Sequence, residues 1–306
     1  MRPEALVFQV GAFVLAPVLL GVINRTKAAF AGRTGAPLLQ PYYDIWKLLQ
    51  KGAVYSSTTT WVFRAGPIVG LAAVIVAVLL TPIGKVGAAV AFPGDLVAFA
   101  GLLGLMRFFT IVAAMDTGSS FEGMGASREA MISAIAEPAL FLGLLVLVLV
   151  SGSLSLTGMM GSIVVATWLR TTGAVLALAA ATIFLVLLAE NSRIPVDDPN
   201  THLELTMVHE VMVLDHGGPD FGYITYAAAL KLWVFSALIV GILLPVQTGS
   251  VLADGGLFLA GMLVVAIVVG VIESSMARLR MLHVPHLLTA AGGLGALAVA
   301  LALVVG

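Results

Sequence analysis

The sequence predicts an all-α, polytopic membrane protein of about eight transmembrane helices, with amphipathic interfacial helices in its cytoplasmic loops. Three observations predict it. Apolar residues make up 60% of the 306-residue chain and charged residues 10%, with a mean hydropathy of +1.10. Soluble domains carry roughly 25% charged residues, and a water-soluble core in a chain of this length cannot absorb so much apolar surface, so lipid must be the solvent. Eight apolar stretches are long enough to cross a bilayer, and the segments between them alternate between long or charged and short or nearly uncharged.

The same composition excludes other classes. A net charge of −1 gives no case for nucleic acid, and the hydrophobicity excludes disorder. There is no cysteine, so the chain holds no iron–sulfur cluster through thiolates and no disulfide. His202, His209, His216, His283 and His286 all fall near span ends or in loops, which argues against a bis-histidine haem between spans. The first apolar stretch is long and lacks a clear small-x-small cleavage site, unlike a signal peptide.

The eight stretches run at about 5–24, 66–84, 93–114, 132–152, 172–190, 227–246, 256–273 and 286–305. No internal repeat is visible, so the chain reads as one integral membrane domain over 1–306. Of the 15 Lys and Arg residues, all but Arg2, Lys85 and Arg170 fall on the side of the odd-numbered loops. The positive-inside rule makes that side cytoplasmic and places both termini outside. All acids but Glu4, Asp95 and Asp254 follow the same side. That concentration fits a partner-docking surface or an ion inlet, or simply long loops that carry more charge.

In the first loop, Leu38, Tyr42, Ile45, Trp46 and Leu49 share one helical face, and Gln40, Asp44, Lys47 and Lys51 share the other, with Gly52 as a stop. This is an amphipathic helix in the interface plane. It either stabilises the membrane surface or frames a side entrance or partner seat. Glu137 stands about two turns inside the fourth span, followed by Pro138. An ionised carboxylate there costs several kcal/mol unless it faces a polar cavity or a partner, so it is either functional or half of a buried pair. Arg107, inside the third span, is the expected counter-charge.

The fifth loop runs from Glu190 to Gly218. Asp198-Pro199 reads as a helix start and Gly217 as its stop, with about 18 residues between. His202, His209 and His216 then share a face at steps of about 10 Å, too far apart to ligate one metal. His209-Glu210 opens like a zinc-protease motif, but Val213 stands where the second histidine is needed. The stripe is either hydrogen-bonded and partner-facing or a chain of groups titrating near neutrality that relays protons. In the seventh loop, Arg278 and Arg280 are topology anchors, contacts for an acidic partner, or counter-charges for Glu273.

Three stretches carry a resemblance: Gly-Arg-x-Gly-x-Pro-x-x-Gln-Pro-Tyr-x-Asp at Gly32 to Asp44, Gly125-Ala-Ser-Arg-Glu with Glu137 downstream, and Glu190-Asn-Ser-Arg-Ile-Pro-Val-Asp197 through Glu204-Leu205. Over nearly its whole length the chain resembles the complex I subunit 1 family, which also supplies a membrane subunit to formate hydrogenlyase, hydrogenase-4 and other energy-converting hydrogenases. The resemblance implies eight spans, contact with a peripheral redox arm, and a row of acids leading from that junction into the membrane. On this chain Glu137 matches the fourth-span glutamate, and Glu190, Arg193, Pro195, Asp197 and Glu204 match the fifth-loop motif. Asn200, His202 and Asp215-His216-Gly-Gly depart from the complex I branch and resemble the hydrogenase branch.

The expectation is therefore a non-catalytic subunit of an oxidoreductase complex, in a bacterial or archaeal inner membrane, that couples electron transfer to proton translocation. Glu137, Glu190, Asp197, Glu204, Glu210 and Arg107 are its proton-coupling candidates. Arg33, Arg128, Arg193, His202, His209, Arg278 and Arg280 are its docking candidates. The resemblance implies hydrogenase-like large and small subunits carrying Fe-S clusters and a NiFe centre, antiporter-like membrane neighbours, and no cofactor or metal on this chain. The rival readings are a quinone-chamber subunit of respiratory complex I and a free-standing ion transporter.

Overall fold

Eight helices long and apolar enough to span a membrane build the molecule. The structure, a computed structural model, describes residues 3–84, 86–198, 207–245 and 248–305. The spanning helices are α1 (Pro3–Phe30), α3 (Trp61–Leu80), α4 (Asp95–Asp116), α5 (Ser120–Ser151), α8 (Thr172–Glu190), α10 (Gly218–Leu243), α11 (Val251–Ser275) and α12 (Val284–Val305). Among the described residues four short α-helices lie between them: α2 (Gln40–Leu49), α6 (Leu156–Ser162), α7 (Val165–Trp168) and α9 (His209–Met212). The eight expected spans are all present.

Packing follows the order of the chain only in part. The pair α3 and α4 is antiparallel and close, α5 packs on α8 and α12, and α1 packs on α10 and α11. The hub is α10, which touches α1, α2, α3, α8 and α11; 78% of its most apolar stretch is buried. A helix apolar on all sides behaves this way when its neighbours are protein and not lipid. Close approaches use small residues, as lipid-embedded packing requires. A Cβ at Gly66 of α3 would come within 2.8 Å of Ala113 Cβ on α4.

Helix ends at the charged end of the bundle are tied by side chains. Asp116, closing α4, accepts hydrogen bonds from the backbone N–H of Thr60 (2.7 Å) and Phe63 (3.2 Å) at the start of α3. A carboxylate at a helix N-terminus satisfies orphan donors and complements the dipole. At the opposite end, buried Asp95 accepts from the Leu156 N–H (2.7 Å) and the Ser155 hydroxyl (2.8 Å), fixing the start of α6 to α4. Within α1, Pro17 has no N–H to offer the Phe13 carbonyl. The Tyr226 hydroxyl of α10 donates to that carbonyl at 2.9 Å, and the Tyr42 hydroxyl of α2 donates to the neighbouring Val14 carbonyl.

The expected amphipathic helix of the first loop is α2. Pro41 is buried, and Tyr42, Ile45 and Leu48 turn partly inward, while Tyr43, Trp46 (65% exposed) and Leu49 turn outward. The helix therefore has two apolar stripes, one on protein and one available to lipid.

Three expectations need correction. Most of the third loop is helical: α5 begins at Ser120, about 18 Å of helix before the expected span. The sixth span starts at Gly218 instead of 227, so Lys231 lies mid-helix and not at a span end. The 18-residue fifth-loop helix does not appear among the described residues, where only His209–Met212 are helical. Asp197 explains this. Its carboxylate accepts the N–H groups of Asp198 (2.9 Å), Val208 (3.2 Å) and His209 (3.1 Å), so the amides of Val208 and His209 bond a side chain instead of helical carbonyls. Gly217 is not a stop but the extended residue that opens α10, with Pro219 in its first turn. Glu204 and His202 lie outside the described residues.

The helical third loop creates one tight contact. A Cβ at Gly125 of α5 would stand 2.4 Å from Val211 Cγ1 and 3.0 Å from the Val208 carbonyl. Gly125→Ala is expected to cost about 1–3 kcal/mol of overpacking. Thermal unfolding in detergent should show the loss, and hydrogen exchange should rise over 208–212.

Candidate functional site

The interior carries one concentrated group of charges. Arg107 of α4 is buried, and three carboxylates converge on its guanidinium. Its Nη2 bonds Glu190 at the end of α8, its Nη1 bonds Glu137 of α5, and its Nε lies 3.6 Å from Glu129. Lys231 of α10 reaches the other oxygen of Glu190 at 3.8 Å. Four spanning helices thus supply one cluster, and the expected Arg107–Glu137 pair is part of a larger set. Buried charges are tolerated only when paired and hydrogen-bonded, and a planar guanidinium with five donors can serve several carboxylates at once.

Glu137 is half-buried, its side chain 44% exposed, so one side meets Arg107 and the other leaves the chain. Glu190 is buried and lines a cavity of about 510 Å³ that opens between α1, α2 and α10. Glu210, His209, Arg193 and Lys231 line it too, as do Asp44 and Lys47 of α2 and Lys51 just beyond it. The outer end of the Arg107 cluster is therefore continuous with a polar chamber, and its inner end is Glu137.

A second set of charges straps the fifth loop down. Glu273 of α11 is clamped by Lys27 of α1 (2.8 Å) and Arg193 (3.3 Å). Arg278 bridges to Asp197 at 2.9 Å, and the Leu279 N–H donates to the Pro195 carbonyl at 2.9 Å. Glu273 is thus held by Lys27 and Arg193, which sets aside one of the three readings of Arg278 and Arg280, that they are its counter-charges. Burial pushes the Asp197 carboxyl above its usual range, against the opposing pull of the His209 N–H and Arg278.

The expected site residues separate into groups. Arg107, Glu137 and Glu190 meet directly, and Glu210 joins them across the chamber. Of the docking candidates, Arg193 and Arg278 spend charge on Glu273 and Asp197, and Arg128 donates to the Met207 carbonyl at 2.8 Å. Arg33 and Arg280 are exposed. Sequence reasoning missed Glu129 and Lys231. Both had a signal: Glu129 lies two turns before Glu137 on a similar face, and Lys231 is a lone cation among apolar residues. His209 and His216 do not share a helix, yet both border one small cavity between α3, α4 and α10.

Removing the shared cation should be costly. Arg107→Met leaves three carboxylates facing one lysine, and about 3–5 kcal/mol of destabilisation is expected, read as lost accumulation or a lowered unfolding temperature. A pH effect should also appear. Burial, with Lys231 and Arg193 nearby, lowers the His209 pKa from 6.5 to about 4; burial alone does the same to His216. Between these values the unfolded chain binds protons that the folded one refuses, so the stabilisation is full above pH 6.5 and disappears as pH falls through 4. For buried His216 it amounts to about 3 kcal/mol. Hydrogen-exchange protection factors over 207–217, taken relative to the intrinsic rate at each pH, should fall on acidification from pH 7 to pH 4.5, less so in His216→Phe.

The chain is similar to known proteins over nearly its whole length. Residues 4–305 match the family model described as NADH dehydrogenase. Formate hydrogenlyase subunit 4 of Escherichia coli (strain K12) is 33% identical over 94% of each chain. Hydrogenase-4 component C of the same organism is 30% identical over 93% of this chain and 90% of its own. The fold matches a chain in the membrane-bound sulfane sulfur reductase, an archaeal respiratory membrane complex, with a TM-score of 0.82, 22% identity and 98% of each chain covered. This chain therefore belongs to the NADH dehydrogenase family of membrane subunits, the complex I subunit 1 family, and its curated relatives are subunits of hydrogen-metabolising complexes.

Proposed function

We propose that this chain is the membrane subunit of an energy-converting hydrogenase of the formate hydrogenlyase or hydrogenase-4 type, and that it docks a peripheral redox arm and couples electron transfer to proton translocation. The names of its two relatives support the assembly. One observation carries the coupling role: a single buried arginine shared by Glu129, Glu137 and Glu190 at the floor of a charged chamber. With Lys231 the cluster holds two cations against three carboxylates. A buried group of this kind reaches neutrality by keeping one proton.

In this reading the chamber is the proton inlet and faces the cytoplasm, as the distribution of Lys and Arg implies. Both termini then lie outside, in a cell inner membrane. The redox arm, with hydrogenase-like large and small subunits carrying Fe-S clusters and a NiFe centre, sits over the fifth loop. A change of charge there alters which carboxylate Arg107 serves best. Release of Glu137 from Arg107 passes a proton, or the field of one, to an antiporter-like neighbour against its exposed side. Asp197 holds the fifth loop in register for this. Arg33 and Arg280 are the outward cations left for docking.

The chamber's size favours a second reading, a quinone site. Its walls do not fit one. Seven of the twenty lining residues are charged, spread over α2, α8, α10 and the fifth loop, whereas pockets for apolar ring ligands are mostly apolar with few polar groups.

The test is Glu137→Gln in the assembled complex, reconstituted in vesicles. Proton translocation per electron is expected to fall at least about ten-fold while the complex still assembles. Wild-type coupling would remove Glu137 from the mechanism.

A further inference from the structure

His209 and His216 lie outside the Arg107 cluster, yet they occupy a connected position. His209 lines the 510 Å³ chamber and also a second cavity of about 20 Å³. His216 lines that second cavity and is buried, with no protein partner for its Nδ1. The small cavity is otherwise bounded mainly by apolar groups, with Thr110 as its remaining polar side chain. On the far side, His216 stacks face to face on Phe63, the ring centroids 3.9 Å apart. Phe63 and Asp215 border an outer recess of about 300 Å³ with Tyr55.

A cavity of 20 Å³ accommodates one water, and a buried water needs two to four polar partners. Two imidazoles and the Thr110 hydroxyl meet that need. Thr110 donates its own proton to the Met106 carbonyl at 3.0 Å, so its oxygen is left to accept. We propose that His209 and His216 hold a water between them and form a proton-conducting bridge from the outer recess to the chamber. The proposal deepens the coupling reading, on which it rests, by making this bridge the main proton supply of the chamber.

The transfer needs no electron and no co-reactant. A proton from the recess binds Nε2 of His216, and Nδ1, which has no protein partner, releases its own proton to the water. The water passes one of its protons to the free nitrogen of His209. His209 gives up the proton on its opposite nitrogen to the chamber, beside Glu190 and Glu210. One proton enters, one leaves, and ring reorientation restores both tautomers. Both rings rest neutral near pH 7, each with one nitrogen able to accept and one able to donate.

The experiment uses the intact complex in vesicles, following proton uptake on the charged-loop side together with electron transfer. His216→Phe keeps the stack on Phe63 and removes both nitrogens; uptake is expected to slow at least ten-fold. His216→Ala should be slowed likewise and should recover on addition of free imidazole, a rescue that a purely structural role would not give. Should His216→Phe fail to assemble, the Ala variant with and without imidazole decides alone. Wild-type uptake in assembled His216→Phe, or slowed uptake in His216→Ala that imidazole does not restore, overturns the bridge. Neither result touches the coupling reading, which Glu137→Gln tests separately: loss of coupling there with wild-type uptake in His216→Phe sinks only the bridge.

Discussion

One guanidinium organises the interior. Arg107 reaches it from α4, and the carboxylates that meet it come from two positions on α5 and from the end of α8. Without that cation, α5 would bring two acids into a bilayer-depth interior, and α8 would end on a third. The expense of an unpaired charge in that setting exceeds the worth of most single contacts in a protein. The packing of α4, α5, α8 and α10 is therefore inseparable from the charge balance of the cluster. A change in that balance is a change in the preferred distance between helices, which is how chemistry outside the membrane can be felt within it.

The strapping of the fifth loop serves the same end. Asp197 satisfies three backbone donors and Arg278, while Arg193 joins Lys27 in clamping Glu273. These contacts tie the loop to α1, α11 and the seventh loop, so the roof of the chamber is carried by the bundle and not by the loop's own propensity. A partner seated there would press on a framework already connected to Glu190, which precedes Arg193 by less than one helical turn.

Much of this was legible in the sequence. Eight apolar stretches, separated by loops of alternating charge, gave the spans, because lipid leaves the backbone no other option. Glu137 and Arg107 stood out as ionisable groups among apolar neighbours, and they do pair. What the sequence hid was tertiary. Lys231 read as a span-end anchor because Tyr223, Thr225 and Tyr226 blur the start of α10. Glu129 read as part of a loop because glycine and serine near 118–127 suggested one, yet packing on α9 makes the segment helical. The fifth-loop helix failed because propensity and cap signals cannot anticipate a carboxylate, Asp197, that captures amides from eleven and twelve residues away. The two histidines reach a common cavity by a fold-back that no periodicity describes.

The pair of phenols on α1 has a mechanical consequence. Tyr42 and Tyr226 come from the two elements that flank α1 at the chamber mouth, and they grip adjacent carbonyls where Pro17 has loosened the ladder. A helix pinned at one level by two struts from different sides can flex above and below that level but cannot roll. The stretch of α1 that leads to the chamber wall at Leu20 and Asn24 is thus held from two neighbours at once, while Lys47 and Lys51 line the chamber from the first loop.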